Sequence, residues 1–152
     1  MIDKKFYKNL PRKRVAAAAL FLNKKDEILI VKPSYKPNWT LPGGIVEKNE
    51  SPLSGCRREV KEEIGLDIKI KDLLCVDHSH NREKGDALKF IFFGGILEPE
   101  KIKSIKIDQK EISKYKFSRR QEAIKLLNPK AKLRVIKCLV SLKNKRSFYL
   151  ES

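Results

Sequence analysis

With 152 residues, 41% of them hydrophobic, the chain is long enough for one domain with its own core and too short for two comfortable ones. Its 35 lysines and arginines against 19 acids leave a formal charge of +16, which attracts polyanions such as nucleotides, RNA or an anionic membrane. Three cysteines, Cys56, Cys75 and Cys138, stand singly with no CxxC pair, which argues against a disulfide framework and for a reducing cytoplasm.

In chain order, basic Lys8–Arg14 followed by apolar Val15–Leu22 has the outline of a leader peptide. Charged Lys24, Lys25 and Asp26 follow at once, however, without a small-residue cleavage site or a membrane-length apolar run. Val15–Leu22 therefore reads as a buried strand, paired across the turn Asn23–Asp26 with a second strand, Glu27–Val31. Residues 1–12 read as an N-terminal extension, and no membrane partner is expected. Next comes Trp39-Thr40-Leu41-Pro42-Gly43-Gly44, whose tandem glycines let backbone approach a ligand closely. Trp39 reads as a packing residue at the sheet edge or, alternatively, as a platform for a substrate base.

The stretch from Gly44 to Leu66 packs five carboxylates and two adjacent arginines into 23 residues. Ser51 is a helix cap, Pro52 suits the first turn, and Gly65 supplies a left-handed stop. Between them Leu53, Cys56, Val60 and Ile64 recur at helical spacing, so one side faces a core. Glu59, Glu62 and Glu63 fall at i, i+3 and i+4 and gather on a neighbouring face, where they repel one another unless a cation neutralises them. Hard oxygen donors of this kind suit Mg²⁺ or Mn²⁺. The plainer alternative is a solvated face on which Arg58 and Lys61 make ordinary surface ion pairs, worth little.

Asp67–Asp77 and Ala87–Leu97 read as two further strands flanking the loop His78–Asp86. His78 and His80 are ordinary loop histidines or a substrate-facing pair; as metal ligands they lack a third partner placed by sequence. Phe90, Phe92 and Phe93 belong mostly to the core. Ile105–Phe117, within a lysine-rich stretch, reads as extended. Arg119–Leu127 and Ala131–Lys143 carry helical periodicity on either side of Asn128-Pro129. Strands first, a helix mid-chain and helices last give an α/β architecture, a mixed sheet covered on both faces.

Written as spacing, Gly44, Glu50 and Arg58-Glu59-Val60-Lys61-Glu62-Glu63-Ile64-Gly65-Leu66 match G-x5-E-x7-R-E-U-x-E-E-x-G-U, with U a bulky apolar residue. Every fixed position is met, and the stretch resembles the signature of the Nudix hydrolase family. The resemblance implies an α/β/α sandwich over 13–127; residues 128–152 lie outside what it covers and read as a C-terminal helical extension packing on the same domain. It implies metal binding by Glu59, Glu62, Glu63 and the carbonyl of Gly43, with Glu50 and Arg58 supporting the catalytic glutamates. It also makes Glu111, an acid just before the aromatic segment Tyr115–Phe117, a late catalytic candidate. The plainer reading of Glu111 is a solvated loop acid.

The resemblance further implies Mg²⁺- or Mn²⁺-dependent cleavage of a phosphoanhydride in a nucleoside diphosphate-linked compound, foremost a nucleoside di- or triphosphate. A small-molecule nucleotide is then the expected partner. Competing readings are removal of pyrophosphate from RNA 5′ ends, motivated by the basic charge, and a non-catalytic nucleotide- or RNA-binding module. RNA is not favoured as a partner, because the lysines are spread end to end without the interleaved aromatics of an RNA-binding sheet. Homodimers are common among similar proteins, which makes one an expectation from resemblance alone.

Overall fold

The computed structural model describes residues 3–70 and 72–152. Residues 1 and 2 of the expected N-terminal extension, and Lys71 inside the expected strand 67–77, lie outside the described residues.

A short helix, α1 (Lys4–Lys8), precedes the expected hairpin, formed by β1 (Arg14–Asn23) and β2 (Ile28–Pro33). Alternation along β1 sends Ala17, Ala19 and Phe21 into one core cluster and Leu20 and Leu22 into another. The first cluster is closed by Cys56, Val60 and Ile64 of α2 (Pro52–Ile64). The second is closed by Ala123 of α4 (Arg120–Leu126) and by Ala131, Val135 and Cys138 of α5 (Pro129–Asn144). One sheet thus carries helices on both faces, which is the expected α/β/α layering. With β3 (Gly43–Ile45), β4 (Leu73–Ser79), β5 (Ala87–Leu97), β6 (Ile112–Ser118) and β7 (Phe148–Glu151) the sheet is seven-stranded. Its order is β6-β2-β1-β5-β4-β7, with β3 paired to β1. It is mixed: β1 runs parallel to β5, and β4 parallel to β7, while the remaining pairs are antiparallel.

Three departures from the sequence reading bear on the site. Strand β4 starts at Leu73, six residues later than expected, and includes His78 and Ser79, which the sequence places in the following loop. Leu66, Ile68 and Ile70 instead pack on the first core cluster, with Ile70 fully buried and its carbonyl accepting from Arg57 Nη2 at 2.8 Å. The extended stretch 105–117 is a strand only from Ile112, preceded by α3 (Pro99–Lys103) and a connector. That connector docks on the C-terminal end of α2, where Lys106 N–H and Asp108 N–H donate to the orphan carbonyls of Ile64 and Glu63. Its course carries Glu111 to the carboxylate face of α2. Finally, the C-terminal segment is a helix followed by β7, a strand too short for its period to show in sequence. Among the described residues no helix is long and apolar enough to cross a membrane.

Candidate active site

Helix α2 is fixed at both ends and along one side. Ser51 Oγ accepts from the Ser54 N–H at 3.1 Å, and Gly65 closes the helix at φ 73°. Cys56, Val60 and Ile64, each four residues apart and fully buried, lock its rotation. Glu59 and Glu63, also one turn apart, are thereby aimed at the β3 backbone. The Gly43 N–H donates to Glu63 Oε2 at 2.9 Å, and Glu63 is only 6% exposed. Glu111 reaches the same point from the turn before β6, and ligand oxygens of Glu59, Glu63 and Glu111 all lie within 4.8 Å of one another.

The crowding is felt at Glu63 and Glu59. Burial pushes the Glu63 carboxyl up to about 8, with the charges of Glu59 and Glu111 adding to it and the Gly43 N–H resisting. Burial also raises Glu59, against the pull of Arg58. An all-oxygen donor set from two separate elements, with charge in excess of its partners, fits a hard divalent cation. The tandem glycines make the approach feasible. A Cβ on Gly44 would stand 2.5 Å from the Glu59 carboxyl carbon, and one on Gly43, at φ 150°, would collide with the β1 backbone.

Gly44 therefore offers a clean test. In Gly44→Ala the Glu59 carboxylate, as the far end of a flexible side chain, moves aside while the fold persists. Mn²⁺ affinity is expected to fall about tenfold or more, followed by titration of the ion, with the melting temperature little changed. Unchanged Mn²⁺ binding would remove Glu59 from the ion's surroundings.

Arg58 organises the outer side of the cluster. Its Nε and Nη2 take both oxygens of Glu50 at 2.8 and 3.1 Å, and Nη1 donates to Glu59 Oε1 at 2.9 Å and Glu62 Oε2 at 3.0 Å. Nη2 also donates to the Ile45 carbonyl at 3.0 Å, tying α2 to β3. Hydrogen bonding to Arg58 holds the Glu50 carboxyl below its ordinary range, and Glu50 in turn raises Arg58. Glu62 is turned to Arg58 with half its side chain exposed, outside the trio formed by Glu59, Glu63 and Glu111. At Gly43 the observed contact is made by the N–H rather than the carbonyl.

The other sequence candidates lie apart. His78 Nε2 and His80 Nδ1 sit 3.3 and 2.6 Å from the two oxygens of Asp86, beside Lys13, and neither lines the cleft over the carboxylates. Trp39 packs on the second core cluster under Lys116, whose Nζ is 4.9 Å from the ring centre. The cleft encloses about 440 Å³ and is lined by Glu59, Glu63 and Glu111 together with Lys36, Lys89 and Arg134. Sequence reasoning missed these last three. A lysine inside apolar Ala87–Leu97 and an arginine on the buried stripe of α5 were the available signals.

A family model described as the NUDIX domain matches residues 12–137. Nudix hydrolase 8 of Arabidopsis thaliana is 36% identical over 111 residues, 68% of this chain and 29% of that protein. A Homo sapiens 8-oxo-dGDP phosphatase is 36% identical over 91 residues, 55% of this chain and 27% of that protein. The chain thus spans under a third of the length of either curated relative. Among solved structures, a UDP-X diphosphatase superposes with a TM-score of 0.74 at 21% identity, covering 99% of this chain and 76% of that one. A MutT protein from Methanosarcina mazei gives 0.71 at 24% identity, covering 91% of this chain and 100% of that one.

Proposed function

Because the chain belongs to the Nudix hydrolase family, we propose that it is a pyrophosphohydrolase that cleaves a phosphoanhydride in a nucleoside diphosphate-linked compound, foremost a nucleoside di- or triphosphate. The observation that carries this reading is the convergence of Glu59, Glu63 and Glu111 in a cleft that is also lined by Lys36, Lys89 and Arg134. In this reading Glu59, Glu63 and Glu111 would hold Mg²⁺ or Mn²⁺, with Glu62 and the Gly43 carbonyl adjoining. Such an ion neutralises charge on the phosphates and makes water a better nucleophile at neutral pH.

The chain's own residues have separate tasks. Arg58 and Glu50 hold Glu59 in place from outside. The Gly43 N–H orients Glu63. Glu111 is the most accessible of the three acids and is placed to hold a water or take its proton. Lys36, whose charge acts on Glu63, faces the developing negative charge on the phosphates.

The test is a panel of nucleoside di- and triphosphates, dinucleotides, nucleotide sugars and triphosphorylated RNA, each with Mg²⁺ or Mn²⁺ and with products identified. Turnover by the wild type that depends on metal, with release of nucleoside monophosphate, is expected. Preference for triphosphorylated RNA at physiological salt would transfer the assignment to RNA 5′ ends. Nucleotide binding without product from any member would leave a binding module.

A further inference from the structure

The cleft also carries charge opposite to the carboxylates. Lys89 of β5 and Arg134 of α5 line it and come together at Asp77 of β4, with Arg14 at the start of β1 and Lys36 after β2 also in the lining. Arg134 is 7% exposed, and its Nε donates to Asp77 Oδ2 at 2.6 Å, which pins the guanidinium against β4. Among the described residues that bond is its only side-chain pairing, and Lys89 has none, although both side chains border the cavity. Asp77 lies opposite Lys89 across β4 and β5 and is fully buried. Its negative charge favours the protonated Lys89, and its Oδ2 also accepts from Ser152 Oγ at 2.8 Å. Burial, followed by the charges of Arg134 and Lys36, draws Lys89 down to about 8.

Buried Arg134 and half-buried Lys89, with Asp77 the acid beside them and exposed Lys36 and Arg14 at the rim, are stabilised by an incoming anion. A nucleobase is a poorer match for this part of the cleft. The apolar wall around Lys89 and Arg134 is aliphatic, made by Ala18, Leu41, Ile91 and Val135. The rings near the cavity are engaged or peripheral: Phe90 stacks on Phe92, and Tyr35 is 72% exposed. The charge of Lys36 acts on both Glu63 and Lys89.

We infer that Lys89 and Arg134 form a subsite for a second phosphate of the substrate, one that is not cleaved. The favoured substrate class is then a phosphoanhydride carrying at least one additional phosphate group. This wording rests on the hydrolase reading, whereas the anion subsite itself is measurable without turnover.

Inorganic tripolyphosphate is titrated calorimetrically into the metal-free protein at physiological salt. Lys89→Met is expected to weaken binding about tenfold or more, the scale of a lost charge-assisted hydrogen bond, and Lys89→Arg to retain it. Lys143→Met, which removes an equal charge from the exposed face of α5, is expected to bind undiminished. Lys89 is preferred to Arg134 as the probe, because removing Arg134 strands a buried Asp77. In a second arm, adenosine 5′-diphosphate is compared with its 3′-phosphorylated form. Lys89→Met should raise KM for the latter alone, with kcat unchanged. Equal weakening in Lys89→Met and Lys143→Met, or none in either, would overturn the subsite. A protein with no turnover that still binds tripolyphosphate through Lys89 would overturn the hydrolase reading and keep the subsite.

Discussion

Glu63→Gln is expected to lower turnover by roughly 10²–10⁴-fold, the usual scale for removing a group that acts on the reacting atoms, while making the metal-free protein more stable in alkali. The two effects have one cause. In the folded chain Glu63 is buried against Glu59 and Glu111, and its carboxyl is raised from 4.5 to about 8. Unfolded, it ionises near its ordinary value. Between those limits the native state holds a proton that the unfolded state has lost, so stability declines as pH rises through this window and levels off above it. The loss is on the order of a few kcal/mol. A glutamine amide stays neutral and can still accept from the Gly43 N–H. Urea unfolding in chelator at pH 5, 7 and 9 should therefore show a falling wild type and a flatter variant. Adding Mn²⁺ should reverse the order, because an ion that binds only the native carboxylates stabilises the wild type. Metal binding requires the deprotonated acid, so affinity should climb with pH toward about 8. Wild-type turnover in Glu63→Gln would sink the assignment, and parallel pH–stability curves would sink its physical explanation.

Why Glu63 was legible and Lys89 was not follows from the range of the interactions involved. Helix α2 is defined by local chemistry: the Ser51 cap, Pro52, the Cys56–Val60–Ile64 stripe and the Gly65 stop all lie within one turn of what they control. Its bounds read from sequence are those in the structure, and so is the clustering of Glu59 with Glu63. Glu111 could be flagged only through the family resemblance, because its approach to Glu63 depends on the 105–111 connector binding the end of α2 through Lys106 and Asp108. No periodicity encodes that docking. Lys89 and Arg134 meet through β5, β4 and α5, and their burial is a property of the assembled layers. The same reason hides β7, whose pairing with β4 is wholly non-local. His78 and His80 are suggestive as a pair, yet the fold sets both against Asp86, with Lys13 also beside His78.

The signature arginine should prove as sensitive to geometry as to charge. Arg58→Lys keeps the cation but is expected to reduce kcat or metal affinity about 10- to 100-fold, as loss of a ligand's supporting partner commonly does. The guanidinium reaches Glu50 through two nitrogens, Glu59 and Glu62 through a third, and still donates to the Ile45 carbonyl. An ammonium has three donors radiating from one atom and cannot span that fork. Glu59 then loses its outer restraint while remaining crowded by Glu63 and Glu111, and drifts from the position the ion requires. If Glu50 matters because it holds Arg58, Glu50→Gln should show a similar deficit, and the double variant should be little worse than either single one. Helix content should persist in all three, since the cap, the buried stripe and the Gly65 stop are untouched. Losses that multiply in the double variant would instead mean that Glu50 and Arg58 act on the site independently. A fully active Arg58→Lys would mean that the positive charge suffices and that the fork contacts are incidental.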